Sequence, residues 1–94
     1  MIYWHSRNSL KDYEDRVLKD KQKTFDASDL TIEKCLEECK NYKYAGVQFS
    51  QTCFCGNEIA RTIEFLDATK CDMPCDGDVS QTCGGAWKMN LYTV

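Results

Sequence analysis

Apolar positions recur at helical spacing at Ile32, Cys35, Leu36 and Cys39, while Glu33, Lys34, Glu37, Glu38 and Lys40 fall on the other side. This pattern predicts a helix that starts at Thr31 and ends near Asn41. The Thr31 hydroxyl can accept an orphan N–H of the first turn, and Leu30 stands where a staple residue would. Downstream, residues 44–49 and 52–55 have strand character. The short turn at Ser50-Gln51 makes the two strands antiparallel, and Gly46 allows a close backbone approach or a bulge. Residues 88–94 alternate, with Met89, Leu91 and Thr93 on one face and Lys88, Asn90 and Tyr92 on the other. Residues 2–5 also have strand-type side chains. Residues 6–29 read as a polar connection with a short strand at Val17-Leu18, and residues 58–70 have room for a helical turn. Turn formers crowd residues 71–78. The expected fold class is α+β, one main helix packed on an antiparallel sheet, in a single domain over residues 1–94.

The cysteines sharpen this picture. Two residues four apart on a helix share a face about 6 Å apart along the axis. Two residues two apart on a strand share a face about 6.6 Å apart. A helix carrying Cys35 and Cys39 can therefore lie against a strand carrying Cys53 and Cys55 and be clamped to it by two neighbouring disulfides. The expected pairs are Cys35 with Cys53 and Cys39 with Cys55. Seven cysteines in 94 residues suit a disulfide scaffold, which a chain this short needs to supplement its core. That usage points to an oxidising, extracellular compartment. Zinc fits less well, because a tight Cys-x-Cys is an unusual zinc motif. No metal or cofactor is expected.

The remaining chemistry narrows the function. A net charge of −3 with interspersed signs argues against a nucleic-acid footprint or a basic membrane patch. No apolar run reaches membrane-spanning length, so no direct membrane insertion is expected. Residues 1–4 read as the start of a strand rather than a signal peptide. The chain is therefore expected to be a piece of a larger secreted or membrane-anchored protein. His5 is the one histidine, so no nucleophile–base–orienter set can be assembled, and catalysis is the weakest reading. Asp72, Asp76 and Asp78 crowd one loop but match no calcium-ligand spacing.

The cysteine order is Cys-x3-Cys, Cys-x-Cys-Gly, Cys-x3-Cys, then Cys-Gly-Gly-x-Trp. Around it stand Thr31-Ile-Glu-Lys-Cys-Leu-Glu-Glu-Cys39, Tyr44-Ala-Gly46, Cys53-Phe-Cys-Gly-Asn57, Met73-Pro-Cys75 and Cys83-Gly-Gly-Ala-Trp87. Together these words closely resemble the WSC domain, a cysteine-rich extracellular module, over about residues 12–94. The resemblance implies a small fold similar to PAN/apple modules, four disulfides and a carbohydrate-binding role. It implies the pairs Cys35–Cys53, Cys39–Cys55 and Cys75–Cys83. The family's remaining bridge joins its first cysteine to its sixth. Cys71 is the sixth, but this chain has no first. Ser9 stands where that cysteine would fall, or the cysteine lies upstream of residues 2–5. We favour a native domain without this bridge, since residues 12–18 follow the family rhythm without a gap. Cys71 is then expected as a thiol outside the bridges, buried and inert or able to join another chain.

Trp87, after Gly84-Gly85, is the leading candidate for a ligand platform: a flat ring can accept the C–H face of a pyranose. The alternative is that Trp87 begins the last strand and packs inside. Tyr44 and Phe54 flank the clamp and can extend the same surface. Tyr92, on the strand face of Lys88 and Asn90, is expected to be exposed. Gln48, Asn57 and Asn90 are candidate partners for sugar hydroxyls, although Asn57 after Gly56 also suits a turn. The leading expectation is a non-catalytic extracellular module that binds a polysaccharide or glycan through a shallow aromatic surface. The alternative is a structural or protein-interaction domain of a receptor ectodomain, or an accessory domain of a glycosyltransferase. Other domains of the parent protein are expected partners, and nucleic acid is not. Exposed aromatics separate the two readings, because a structural module would bury them.

Overall fold

The computed structural model describes residues 7–94. The strand expected at residues 2–5 lies outside the described residues. In chain order the elements are β1 (Arg7–Lys11), β2 (Lys21–Thr24), α1 (Ile32–Glu38), β3 (Tyr44–Gln48) and β4 (Thr52–Gly56). A single 3₁₀ turn follows at Ala68–Lys70, then β5 (Pro74–Cys75), β6 (Asp78–Thr82) and β7 (Lys88–Thr93). Five strands form one antiparallel sheet in the order β1-β7-β3-β4-β2. The hairpin β5–β6 stands apart as a small second sheet.

The helix forms where its apolar stripe and its cap coincide. Thr31 Oγ1 accepts from Lys34 N–H at 3.1 Å, a cap that contributes about 1 kcal/mol. The helix ends at Cys39, short of Asn41. Gln81 of β6 ties down the first turn: its Oε1 accepts from Ile32 N–H at 2.9 Å and its Nε2 donates to Glu33.

The sheet is packed on both faces. On the helix side, Leu36, Ile32 and the bridged cysteines meet Ala45, Val47 and Tyr92. On the other side, Phe54, Met89 and Leu91 meet Leu10, Val17 and Leu18, with Tyr44, Ile59 and Ile63 against them. Gly46 makes room there, since a Cβ on it would come within 2.3 Å of Met89 Sδ. Val17 and Leu18 are fully buried but belong to no strand; the expected strand at that point is a loop crossing the sheet. The strands within residues 6–29 are β1 and β2, and β2 is a Lys-Gln-Lys-Thr edge whose four residues are all exposed. Its polar sequence gives no apolar alternation, so nothing in the pattern announces it.

Three disulfides hold the layers: Cys35–Cys53 and Cys39–Cys55 join α1 to β4, and Cys75–Cys83 joins β5 to the loop after β6. Their Cα separations of 5.4, 5.3 and 4.8 Å suit disulfide geometry. The Sγ atoms of Cys35, Cys39 and Cys53 lie within 4.8 Å of one another, but each is committed to a bridge, which leaves no thiolate there for a metal. Cys71 is buried, and the bridges use the other six cysteines. No helix among the described residues is long and apolar enough to cross a membrane.

Candidate functional site

On the sheet face away from α1, a groove of about 240 Å³ lies at the β2–β4–β3 end. It is lined by Arg16, Gln22, Gln48, Phe49, Thr52, Phe54, Ala86 and Trp87. Cross-strand pairing explains four of these. Gln22 pairs with Phe54, and Thr52 pairs with Gln48, so their side chains share one face of the sheet. Phe54 is 1% exposed and forms the floor.

Phe49 and Trp87 stand at the groove as its exposed walls, at 55% and 48% exposure. Both hold a left-handed backbone, with φ of 55° and 57°. Phe49 opens the turn between β3 and β4, and Ser50 behind it is left-handed too, at φ 63°. Trp87 is the third residue of the turn 85–88, closed by Lys88 N–H to Gly85 O at 3.3 Å, with Gly85 N–H donating back to Lys88 O at 2.9 Å. A positive φ at that position favours Gly or Asn, and a bulky side chain there costs about 1–2 kcal/mol. The surroundings hold both turns in place. Ser50 N–H donates to Cys83 O, Asp76 N–H to Ser50 O and Phe25 N–H to Gln51 O, at 2.8–3.1 Å. Asp12 N–H donates to Trp87 O at 2.9 Å. Gly84, with φ 69°, packs where a Cβ would lie 2.4 Å from Lys88 O and 2.6 Å from Val47 O, so the loop before Trp87 sits directly on β3. Strained, exposed aromatics fixed by their neighbours are a feature of binding sites.

A charged pair lies beneath the walls. Asp12 is buried; its Oδ1 accepts from Val17 N–H and its Oδ2 from Arg16 Nη1, both at 3.0 Å. The Arg16 guanidinium lies 4.6 Å from the Trp87 ring centroid and 5.1 Å from that of Phe54. In the orientation that satisfies both its amide atoms, Gln48 donates to Asp12 Oδ2 at 2.9 Å and accepts from Arg16 Nη1 at 3.2 Å. The result is a rigid polar base beside aromatic walls.

The structure gathers some of the expected ligand residues and scatters others. Trp87, Phe54 and Gln48 meet in the groove. Tyr44 shares the face of Gln48 but lies at the far end of β3, about 13 Å away, half-buried in the apolar cluster. Tyr92 is 1% exposed, in the core on the helix side, which overturns the exposure expected for it. Asn90 is buried as well, accepting from Gly84 N–H at 2.8 Å and donating to Ser9 Oγ at 3.3 Å. The alternation along β7 holds, but this strand lies between β1 and β3 and is covered on both faces, so Met89, Asn90, Leu91 and Tyr92 are all buried and only its ends, Lys88 and Thr93, reach water. Asn57 lies at a separate polar depression with Lys19, Asp20, Glu58 and Ala60, where its Oδ1 accepts from Lys43 N–H at 3.1 Å. Phe49, Arg16, Gln22, Thr52 and Ala86 join the groove without a sequence signal. Phe49 continues the apolar pattern of β3, and Arg16 reaches the groove only through long-range packing.

Comparison with known proteins agrees with the cysteine framework. The family model for the WSC domain matches residues 8–85. A WSC domain-containing protein of Arthroderma benhamiae is 36% identical over 70 residues, covering 72% of this chain and 8% of that protein. Xylosyltransferase oxt of Drosophila melanogaster is 39% identical over 61 residues, covering 63% of this chain and 7% of that enzyme. Kremen protein 2 of Homo sapiens is 42% identical over 69 residues, covering 69% of this chain and 15% of that protein. The chain thus corresponds to a small part of each of these larger proteins. By its matched sequence, its disulfides and its helix-on-sheet architecture, the chain belongs to the WSC domain family.

Proposed function

We propose that the chain is a single, non-catalytic extracellular module that binds carbohydrate in the groove between Phe49 and Trp87. The observation that carries this reading is the pair of exposed aromatic walls, held in left-handed backbone over a Phe54 floor. Aromatic faces accept the apolar C–H face of a pyranose, while Gln22, Thr52 and Arg16 supply polar groups for its hydroxyls. The groove is smaller than the ~300 Å³ at which drug-sized ligands become enclosed, which suits one sugar ring of a longer chain. Such contacts are weak singly and gain strength when several modules act on one polymer. The disulfides support an extracellular location, since they persist in oxidising compartments. In a longer parent protein the module would hold a partner domain near a glycan surface.

The test is retention on a panel of insoluble polysaccharides and a glycan array, using wild type, Trp87→Ala and Phe49→Ala at matched disulfide content. Binding by wild type that both substitutions abolish supports the reading. Absence of binding by the wild-type protein, or binding that neither substitution changes, would move the function to protein interaction or to another surface.

A further inference from the structure

Among the described residues, Arg16 is the one ionic side chain lining the groove. A guanidinium carries five N–H donors in a planar fork. Both hydrogens of Nη1 are taken, one by Asp12 Oδ2 and one by the Gln48 carboxamide oxygen. Among the described residues, Nε and Nη2 donate to no protein acceptor. The side chain is 27% exposed, while its partner Asp12 is fully buried. The open part of the fork is therefore the part turned away from Asp12. The Trp87 and Phe54 rings pack against the guanidinium and restrict its orientation.

We infer that Arg16 is the specificity-determining residue of the groove, and that its open Nε and Nη2 donors select an uncharged sugar ring over one bearing a carboxylate. This rests on the carbohydrate reading above and adds the class of sugar. Charge sets this preference. Asp12 neutralises Arg16 at 3.0 Å, and among the described residues no second cation lines the groove. A carboxylate entering it would lose water without meeting a net positive field, and it would approach the Asp12 carboxylate. Hydroxyl oxygens can accept from Nε and Nη2 at a smaller desolvation cost. Gln22, Gln48 and Thr52, the other polar lining groups, are all neutral. Asp12 and Gln48 thereby act as positioning residues that set the direction of the fork.

The test uses a neutral polysaccharide and the same polymer with its primary hydroxyls oxidised to carboxylates, each measured at low salt and at about 1 M NaCl, where the Debye length is about 3 Å. Wild-type protein is expected to bind the neutral polymer with less than about a twofold change between the two salts. The oxidised polymer is expected to bind more weakly at both. Arg16→Lys keeps the charge opposite Asp12 but loses the planar fork, and roughly tenfold weaker binding of the neutral polymer is expected. Tighter binding of the oxidised polymer that collapses in high salt overturns the inference while leaving the carbohydrate reading intact, and so does undiminished binding by a folded Arg16→Lys. Failure to bind either polymer overturns both. The salt and oxidation series need only wild type, so they decide the matter even if Arg16→Lys does not fold.

Discussion

Asp12 holds Trp87 in two ways: its N–H donates to the Trp87 carbonyl at 2.9 Å, and its carboxylate holds Arg16 against the Trp87 ring. One buried residue, through its backbone and its side chain, thus couples the loop before β2 to the turn before β7. Asp12→Ala strands the Arg16 charge and the Val17 N–H. We expect a loss of about 2–3 kcal/mol, less than for a fully buried pair because water can reach Arg16. Asp12→Asn keeps an acceptor for Val17 N–H and should lose less. Urea unfolding of the two variants measures the difference; equal losses would show that the ion pair, rather than the capping of Val17, dominates.

The walls and the floor of the groove should separate cleanly in stability. Glycine relieves the left-handed backbone at Phe49 and Trp87, offsetting the lost contacts and the added freedom of the unfolded chain. Phe49→Gly and Trp87→Gly are expected to stay within about 1 kcal/mol of wild type. Phe54→Ala empties a buried site and should cost about 3–5 kcal/mol. Denaturant midpoints of the three variants test this ordering. Large losses at both wall positions would mean that the rings serve the fold.

The two bridges of the helix clamp enclose nearly the same loop, with sequence separations of 18 and 16 residues. Each alone would contribute about 3 kcal/mol by restricting the unfolded chain. With one intact, the second adds much less to that restriction. Removing either pair by Cys→Ala should therefore cost less than removing both by more than simple addition allows. The Cys75–Cys83 bridge closes a separate loop, so its loss should add independently. Non-reducing unfolding of single and double bridge variants checks the pattern; strict additivity within the clamp would contradict it.

Stability should fall on the acid side. The hydrogen bond from Lys21 holds the Glu38 carboxyl below the usual range. Thr69 N–H does the same for Asp67, and the Ser80 hydroxyl for Asp78. A lowered carboxyl value means stability that is present above the unfolded-state value and lost as pH falls through the folded one. Glu38 raises Lys21, so its contribution is present below the ordinary lysine value and lost as pH rises through the raised one. Glu38→Gln should flatten part of the acid slope and remove the alkaline contribution of Lys21. Thermal melts across pH read both, and an unchanged acid slope would show that the pair carries no linkage.

How much of this was legible in the sequence depends on whether a signal is local. The α1 stripe and its Thr31 cap are local, and the structure forms that helix one turn or less from the expected end. The matching cysteine spacings are local as well, and the structure joins α1 to β4 through them. Period-two alternation in β7 gives the correct faces but cannot say that both are covered, so Tyr92 and Asn90 look exposed in sequence and are buried in the fold. Phe49 has the composition of a strand residue; only its positive φ reveals it as part of a turn. Arg16 reaches Phe54 and Trp87 across long sequence separations, and no neighbouring residue announces such a contact.

The central claim is that Phe49 and Trp87 form the two walls of a sugar site. Amide and indole chemical-shift mapping during titration with a soluble oligosaccharide from the polymer that is bound tests it most directly. Shifts concentrated at residues 16, 48–52 and 86–87, with the Trp87 indole N–H among the largest, are the predicted result. Shifts confined to the depression around Lys19, Asn57 and Glu58, or no shifts at saturating sugar, would contradict it.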